Sequence, residues 1–274
     1  MTACAPVKPS LPVWRVEMLE QADLPVAASG LRRHRRGLFL LPSLFTVGNM
    51  FCGYACIVHA MRGDLAVAAP FIGIAFVLDA LDGRIARLTN TTSRFGLELD
   101  SLADVISFGI APAILAYAWG LSELARVGWA SGFIFVTAAA MRLARFNIQS
   151  SSHLDKRYFV GMPTPAAAAV VAATIFAWPF PLAGYPQAGA ALAVVLVPAA
   201  LMVSTIRFRS FKTINFGWGP SYMPLLAFAT LLVLISFEPR FTLVVLAYGY
   251  LLSPFIGLAA TRVRPRRPEA RPAE

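Results

Sequence analysis

Four of the fourteen acidic residues in this 274-residue chain fall in one short window: Asp79, Asp82, Asp100 and Asp104. Asp79 and Asp82 are three residues apart, and Asp100 and Asp104 are four apart, so each pair occupies one face of a helix. The polar connection between the pairs is short, which predicts two antiparallel neighbouring helices whose carboxylates meet at one depth. Four uncompensated carboxylates there repel one another and are costly to desolvate. Divalent cations resolve that conflict, and all-oxygen sites suit hard ions such as Mg²⁺, Mn²⁺ or Ca²⁺. Two such ions among four carboxylates are close to neutral and attract a phosphate group, an arrangement suited to phosphoryl chemistry. Gly83 and Ala86 clear a strip of helix for a flat group. Arg87, one turn after Gly83, can contact phosphate, and Gly96, one turn before Asp100, leaves room beside it. The competing arrangement is a set of salt bridges from these Asp residues to Arg84, Arg87 and Arg94. The small residues set between the acids favour the metal reading.

The elements that must carry these side chains are membrane helices. Hydrophobic residues make up 58% of the chain and charged residues 14%, with a mean hydropathy of +0.66. Soluble domains average about 45–50% apolar and about 25% charged, so an ordinary soluble domain is excluded. Disorder is excluded too, because there is ample apolar surface to bury. Apolar runs near the length of a membrane span occur at 38–61, 65–81, 101–121, 127–141, 165–182, 188–206, 223–237 and 242–260. They predict an all-α, polytopic integral membrane bundle of about eight helices. Long alternating strands are lacking, so a β-barrel is not expected. The net charge is +10, and with eight crossings 21 of the 24 Lys and Arg fall on one side of the membrane. Arg62, Arg126 and Arg240 fall on the other. This asymmetry places both termini and the Asp cluster on the cytoplasmic side of the cell membrane.

Three regions follow: a cytoplasmic segment 1–37, a membrane domain 38–261, and a basic tail 262–274. Within the first, 11–28 has the pattern of an interfacial amphipathic helix anchored by Trp14, with a disordered tail as the other reading. The basic cluster around Arg35 and Arg36 can also meet anionic lipid. Cys52 and Cys56, four apart on one helix, read as packing surface, and neither a structural disulfide nor a zinc site is expected.

The spacing Asp79-x2-Asp82-Gly83-x2-Ala86-Arg87-x8-Gly96-x3-Asp100-x3-Asp104 resembles, at all eight fixed positions, the signature of the CDP-alcohol phosphatidyltransferases. The resemblance implies a six-helix core and displacement of CMP from a CDP-linked lipid by the hydroxyl of a second alcohol. By it, Asp79, Asp82 and Asp100 would ligate two divalent cations, Mg²⁺ or Mn²⁺. Asp104 would take the proton of the acceptor hydroxyl and also touch a metal. Gly83 and Ala86 would lie against the cytidine, Arg87 would bind phosphate, and Gly96 would complete the nucleotide cavity. Pro42, Thr46 and Asn49 resemble the family's first-helix segment, with Asn49 a polar ligand near the nucleotide.

The acceptor is read from other segments. Arg142, Arg145, Asn147 and Lys156, then Gly161-Met162-Pro163-Thr164-Pro165-Ala166, and later Ser204 to Lys212, resemble the phosphatidylserine synthase branch of the family. That resemblance implies CDP-diacylglycerol and L-serine as substrates, in a homodimer within membrane lipid and with no nucleic-acid partner. A zwitterionic amino acid needs a cation for its carboxylate, and Arg142, Arg145 and Lys156 share the side of the Asp cluster. A phosphorylated acceptor would like the same residues, so glycerol phosphate and inositol phosphate, like choline, stay open as acceptors. An ion-coupled transporter is a remote alternative. It predicts acids near the bilayer midplane and broken helices in both halves, whereas these acids sit at one edge of one half.

Overall fold

The computed structural model describes residues 32–88, 93–151, 158–209 and 222–263. The proposed interfacial helix at 11–28 and the tail beyond 263 lie outside the described residues, as do Lys156 and residues 211–221.

The chain folds as helices that run up and down. Helix α1 spans Arg32–Met61, and the tight turn at Gly63 (φ 82°) returns it into α2, Leu65–Leu88. Helix α3, Arg94–Asp104, begins at Ser93, whose hydroxyl accepts the Gly96 N–H at 2.9 Å and caps the first turn. The same helical path then widens into a π-helical segment, Val105–Ile110, before continuing as α4, Ala111–Trp119. After a 3₁₀ turn come α5 (Ala125–Ser151), α6 (Thr164–Ala177), α7 (Tyr185–Val203), α8 (Met223–Phe237) and α9 (Pro239–Val263).

Among the described residues, six stretches are long and apolar enough to cross a membrane: Ser43–Met61, Leu65–Ala86, Phe95–Trp119, Leu121–Ile148, Tyr185–Val203 and Pro239–Ile256. Helices form at all eight apolar runs, but two fall short of a full span. Helix α6 has 14 residues and α8 has 15. At 1.5 Å per residue α6 is about 21 Å long, against a hydrocarbon core of about 30 Å. Pro163 and Pro165 set where it starts, and the chain leaves helical geometry at Trp178. Its length is tolerated because it is surrounded by protein. Ala167, Ala168, Val170, Val171 and Ile175 are all buried, and α2, α4, α7 and α9 pack around it. Small residues allow this close approach, the usual device where lipid gives no hydrophobic drive for helices to associate. Large apolar side chains such as Phe51, Phe76, Phe133 and Leu232 face outward, where hydrocarbon meets them. The chain is an integral membrane protein.

One small sheet joins two distant connections. Strands β1 (Tyr158–Val160) and β2 (Arg207–Arg209) pair antiparallel, with Phe159 opposite Phe208. The pairing runs on into Gly161, whose N–H reaches the Ile206 carbonyl at 2.8 Å, and Met162, whose N–H reaches Leu201 at 3.0 Å. Gly161 holds φ 86°, and a Cβ there would meet the Met202 carbonyl oxygen at 2.5 Å. Only glycine fits that turn. The start of α6 is thereby fastened to the end of α7.

Candidate active site

Three helices meet at one end of the bundle. Asp79 and Asp82 lie near the end of α2, Asp100 and Asp104 near the end of α3, and α1 supplies the groups that hold them. One carboxylate oxygen from each of Asp79, Asp82 and Asp100 lies within 4.8 Å of the other two. Asp104 stands outside that trio, with its carboxylate within hydrogen-bonding reach of Asp79; Asp82 and Asp100 form a second cross-helix pair of the same kind. Thr46 donates its hydroxyl to Asp82 Oδ2 at 3.1 Å, and Asn49 donates its amide to Asp104 Oδ1 at 3.4 Å. Asp82 and Asp104 are buried and Asp79 and Asp100 half-buried. The expectation that α2 and α3 would pack as simple antiparallel neighbours needs correcting. Helix α1 packs against both far more extensively than they pack against each other, and it is the carboxylates that close the gap.

Like charges this close, in a setting with little water, require protons or cations between them. The donor set suits a hard divalent cation, and Asp100 Oδ1 is buried with no hydrogen-bond partner, so a ligand atom is free for one. Among the described residues no salt bridge to these acids supplies the compensation. Among the described residues Arg84 is exposed and pairs with none of the four acids. Arg87 and Arg94 lie on α2 and α3, but their side chains are outside the described residues. Gly83 and Ala86, both half-buried, follow Asp82 on α2, and Gly96 sits one turn before Asp100 in the capped first turn of α3.

A profile of the CDP-alcohol phosphatidyltransferase family matches residues 39–206, which takes in every element of this site. The chain belongs to the CDP-alcohol phosphatidyltransferase family. It is 41% identical over 183 residues to a Helicobacter pylori protein named CDP-diacylglycerol–serine O-phosphatidyltransferase, a match covering 66% of this chain and 76% of that one. A Bacillus subtilis protein of the same name is 34% identical over 172 residues, covering 63% and 91%. One from Mycobacterium tuberculosis is 40% identical over 145 residues, covering 51% and 50%.

In this phosphatidyltransferase, two residues that the sequence did not single out hold Asp104 in place. Ser107, in the π-helical segment, donates its hydroxyl to the Asn49 carbonyl at 2.9 Å. Asn49 is therefore gripped twice, by its backbone at Ser107 and by its amide at Asp104, three residues earlier. Ser107 can come so close because Gly53 faces it. A Cβ on Gly53 would lie 2.5 Å from Ser107 Oγ and 2.8 Å from its Cα. π-Bulges concentrate at functional sites, but a π turn leaves no local sequence signal. Gly53→Ala is expected to push α1 off the π-helical segment, cost about 1–3 kcal/mol as an overpacking change, and lower phosphatidyl transfer. Gly73→Ala, where a Cβ meets nothing within 4 Å, is the control and should change neither thermal unfolding in detergent nor turnover.

The acceptor candidates divide. Arg142 is buried and donates Nε to the Met162 carbonyl at 3.2 Å. Arg145 is half-buried one turn further along α5. Asn147 donates its amide to Ser101 Oγ at 2.9 Å, next to Asp100. Cys52 and Cys56 are buried in the apolar core, as packing surface.

Proposed function

We propose that this chain transfers the phosphatidyl group of CDP-diacylglycerol to the hydroxyl of L-serine, releasing CMP, at the cytoplasmic face of the cell membrane. The observation that carries the reading is the Asp quartet drawn from α2 and α3 to one end of a membrane bundle. The serine acceptor rests on the serine-transferase names of the relatives. The orientation rests on the 21 basic residues that eight crossings put on the quartet's side.

Asp79, Asp82 and Asp100 would hold two divalent cations, Mg²⁺ or Mn²⁺, with Asp104 touching one beside Asp79. Such ions neutralise charge on the diphosphate and steady the attacking and leaving oxygens of an in-line displacement. The chain's own residues do the rest. Thr46 and Asn49 fix the carboxylates of Asp82 and Asp104 from the α1 side. Gly83, Ala86 and Gly96 leave space for cytidine along α2 and α3, with Arg87 and Asn49 beside its phosphates. Asp104 accepts the proton of the serine hydroxyl as Oγ bonds to the lipid-linked phosphorus and the P–O bond to CMP breaks. The protein works as a homodimer.

Purified protein given CDP-diacylglycerol with Mg²⁺ or Mn²⁺ is expected to release CMP with L-serine, and not with glycerol phosphate, inositol phosphate or choline. No release with any acceptor would defeat the transferase reading, and release only with another acceptor would defeat serine.

A further inference from the structure

Helix α3 carries Asp100 and Asp104, and its rotation about its own axis decides where both carboxylates point. Helix α1 packs along one side of it. Towards α2 it presents the carboxylates themselves, which repel Asp79 and Asp82 when no cation lies between them. Towards α5 it is joined by the Asn147 amide, which donates to Ser101 Oγ at 2.9 Å. The Ser101 hydroxyl proton goes to the Leu97 carbonyl one turn back, also at 2.9 Å, so its lone pairs are turned out for Asn147.

The register of α5 explains why these two side chains meet. Gly109 lies against α5, where an added Cβ would stand 3.4 Å from the Ala139 Cβ. The positions 109 and 139, then 101 and 147, are eight residues apart on both elements, so α5 runs antiparallel to α3 and the π-helical segment. The apolar run of α5 ends at Met141, yet the helix continues to Ser151, and that extension carries Asn147 to Ser101. Successive helical residues are about 100° apart around the axis. With Ser101 drawn to α5, Asp100 and Asp104 both fall to the same side of it, the side on which Asp82 and Asp79 face them.

We propose that the Asn147–Ser101 hydrogen bond is a positioning tie that fixes the rotation of α3, holding Asp100 in the trio with Asp79 and Asp82 against their mutual repulsion. Asn147 then acts through α3 and not on the acceptor. The inference rests on the two-cation reading above and adds to it a residue of α5 that sets cation affinity from outside the carboxylate cluster. The bond is exposed, so its effect is on the scale of one net hydrogen bond.

The test measures Mn²⁺ binding to the full-length protein in detergent by electron paramagnetic resonance, with KM for L-serine read at saturating Mn²⁺. The variants are Asn147→Ala, Ser101→Ala, the two combined, and Ser101→Thr. Each single alanine variant is expected to raise the Kd for Mn²⁺ about 2- to 10-fold, and the double variant to go no further than either one. Ser101→Thr keeps a hydroxyl that can bond the Leu97 carbonyl and should bind Mn²⁺ as the wild type does. KM for serine should not move. A tie that only supports the fold lowers thermal unfolding and leaves the Kd for Mn²⁺ unchanged, which overturns the proposal. A raised KM for serine with unchanged Mn²⁺ binding overturns it as well and makes Asn147 an acceptor contact. Additive losses in the double variant show that the two residues act separately, against the tie. A wild type that binds no Mn²⁺ overturns the cation reading and this inference together.

Discussion

Asp100→Asn is expected to abolish CMP release while making the metal-free protein harder to unfold. The first effect follows from the trio of carboxylates within 4.8 Å. Removing one charged ligand removes several kcal/mol of stabilisation from a phosphoryl displacement, a rate loss on the order of 10³-fold or more. Excess Mn²⁺ should restore part of it, by refilling a weakened site. The second effect has the opposite sign because Asp100 faces Asp82 across the helix gap. Replacing one of two close, like-charged groups relieves repulsion on the order of 1 kcal/mol. Thermal unfolding in detergent with a chelator, beside CMP release in saturating Mg²⁺, reads both signs. A structural salt-bridge role for Asp100 predicts the reverse pattern, a less stable protein with activity largely kept.

That opposition of stability and activity was visible in the sequence because its cause is local. Spacings of three and four put each Asp pair on a helix face whatever the rest of the chain does, and the small residues beside them share the same short window. The helices were legible for a similar reason, but their ends were not. Helix α2 continues to Leu88 and α5 to Ser151, well past the apolar runs at 65–81 and 127–141. A hydropathy reading stops where the hydrocarbon stops, whereas backbone hydrogen bonds continue into water. What could not be read depends on partners far along the chain. Ser107 matters through Asn49, 58 positions away, and Arg142 through a carbonyl 20 positions away. The packing of α1 against both α2 and α3, and the pairing of β1 with β2, are likewise set by how the bundle closes. Cys52 and Cys56 could be read as packing surface from their helix positions alone, since a buried face needs no particular partner.

Asp104→Asn separates the proton acceptor from the metal trio. Asp104 is the member of the quartet outside the group of three, and Asn49 holds it in place. An Asn side chain has the same shape and keeps a carbonyl oxygen that can accept from the Asn49 amide, so the fold should be kept, and the metal-free protein should gain stability as in Asp100→Asn because Asp104 faces Asp79. What it cannot do is take a proton from an alcohol. Loss of a positioned general base costs about 10²- to 10⁴-fold in rate, and the loss should appear in kcat with little change in KM for CDP-diacylglycerol. Binding of a CDP-lipid, measured with the reaction stopped by leaving out serine, should persist at near wild-type affinity and remain dependent on Mg²⁺ or Mn²⁺. Asp82→Asn should instead weaken binding and turnover together, because Asp82 belongs to the trio. Full turnover in Asp104→Asn would remove Asp104 from the proton-transfer step. Loss of nucleotide binding along with turnover would place it among the ligands whose work is to hold the cations.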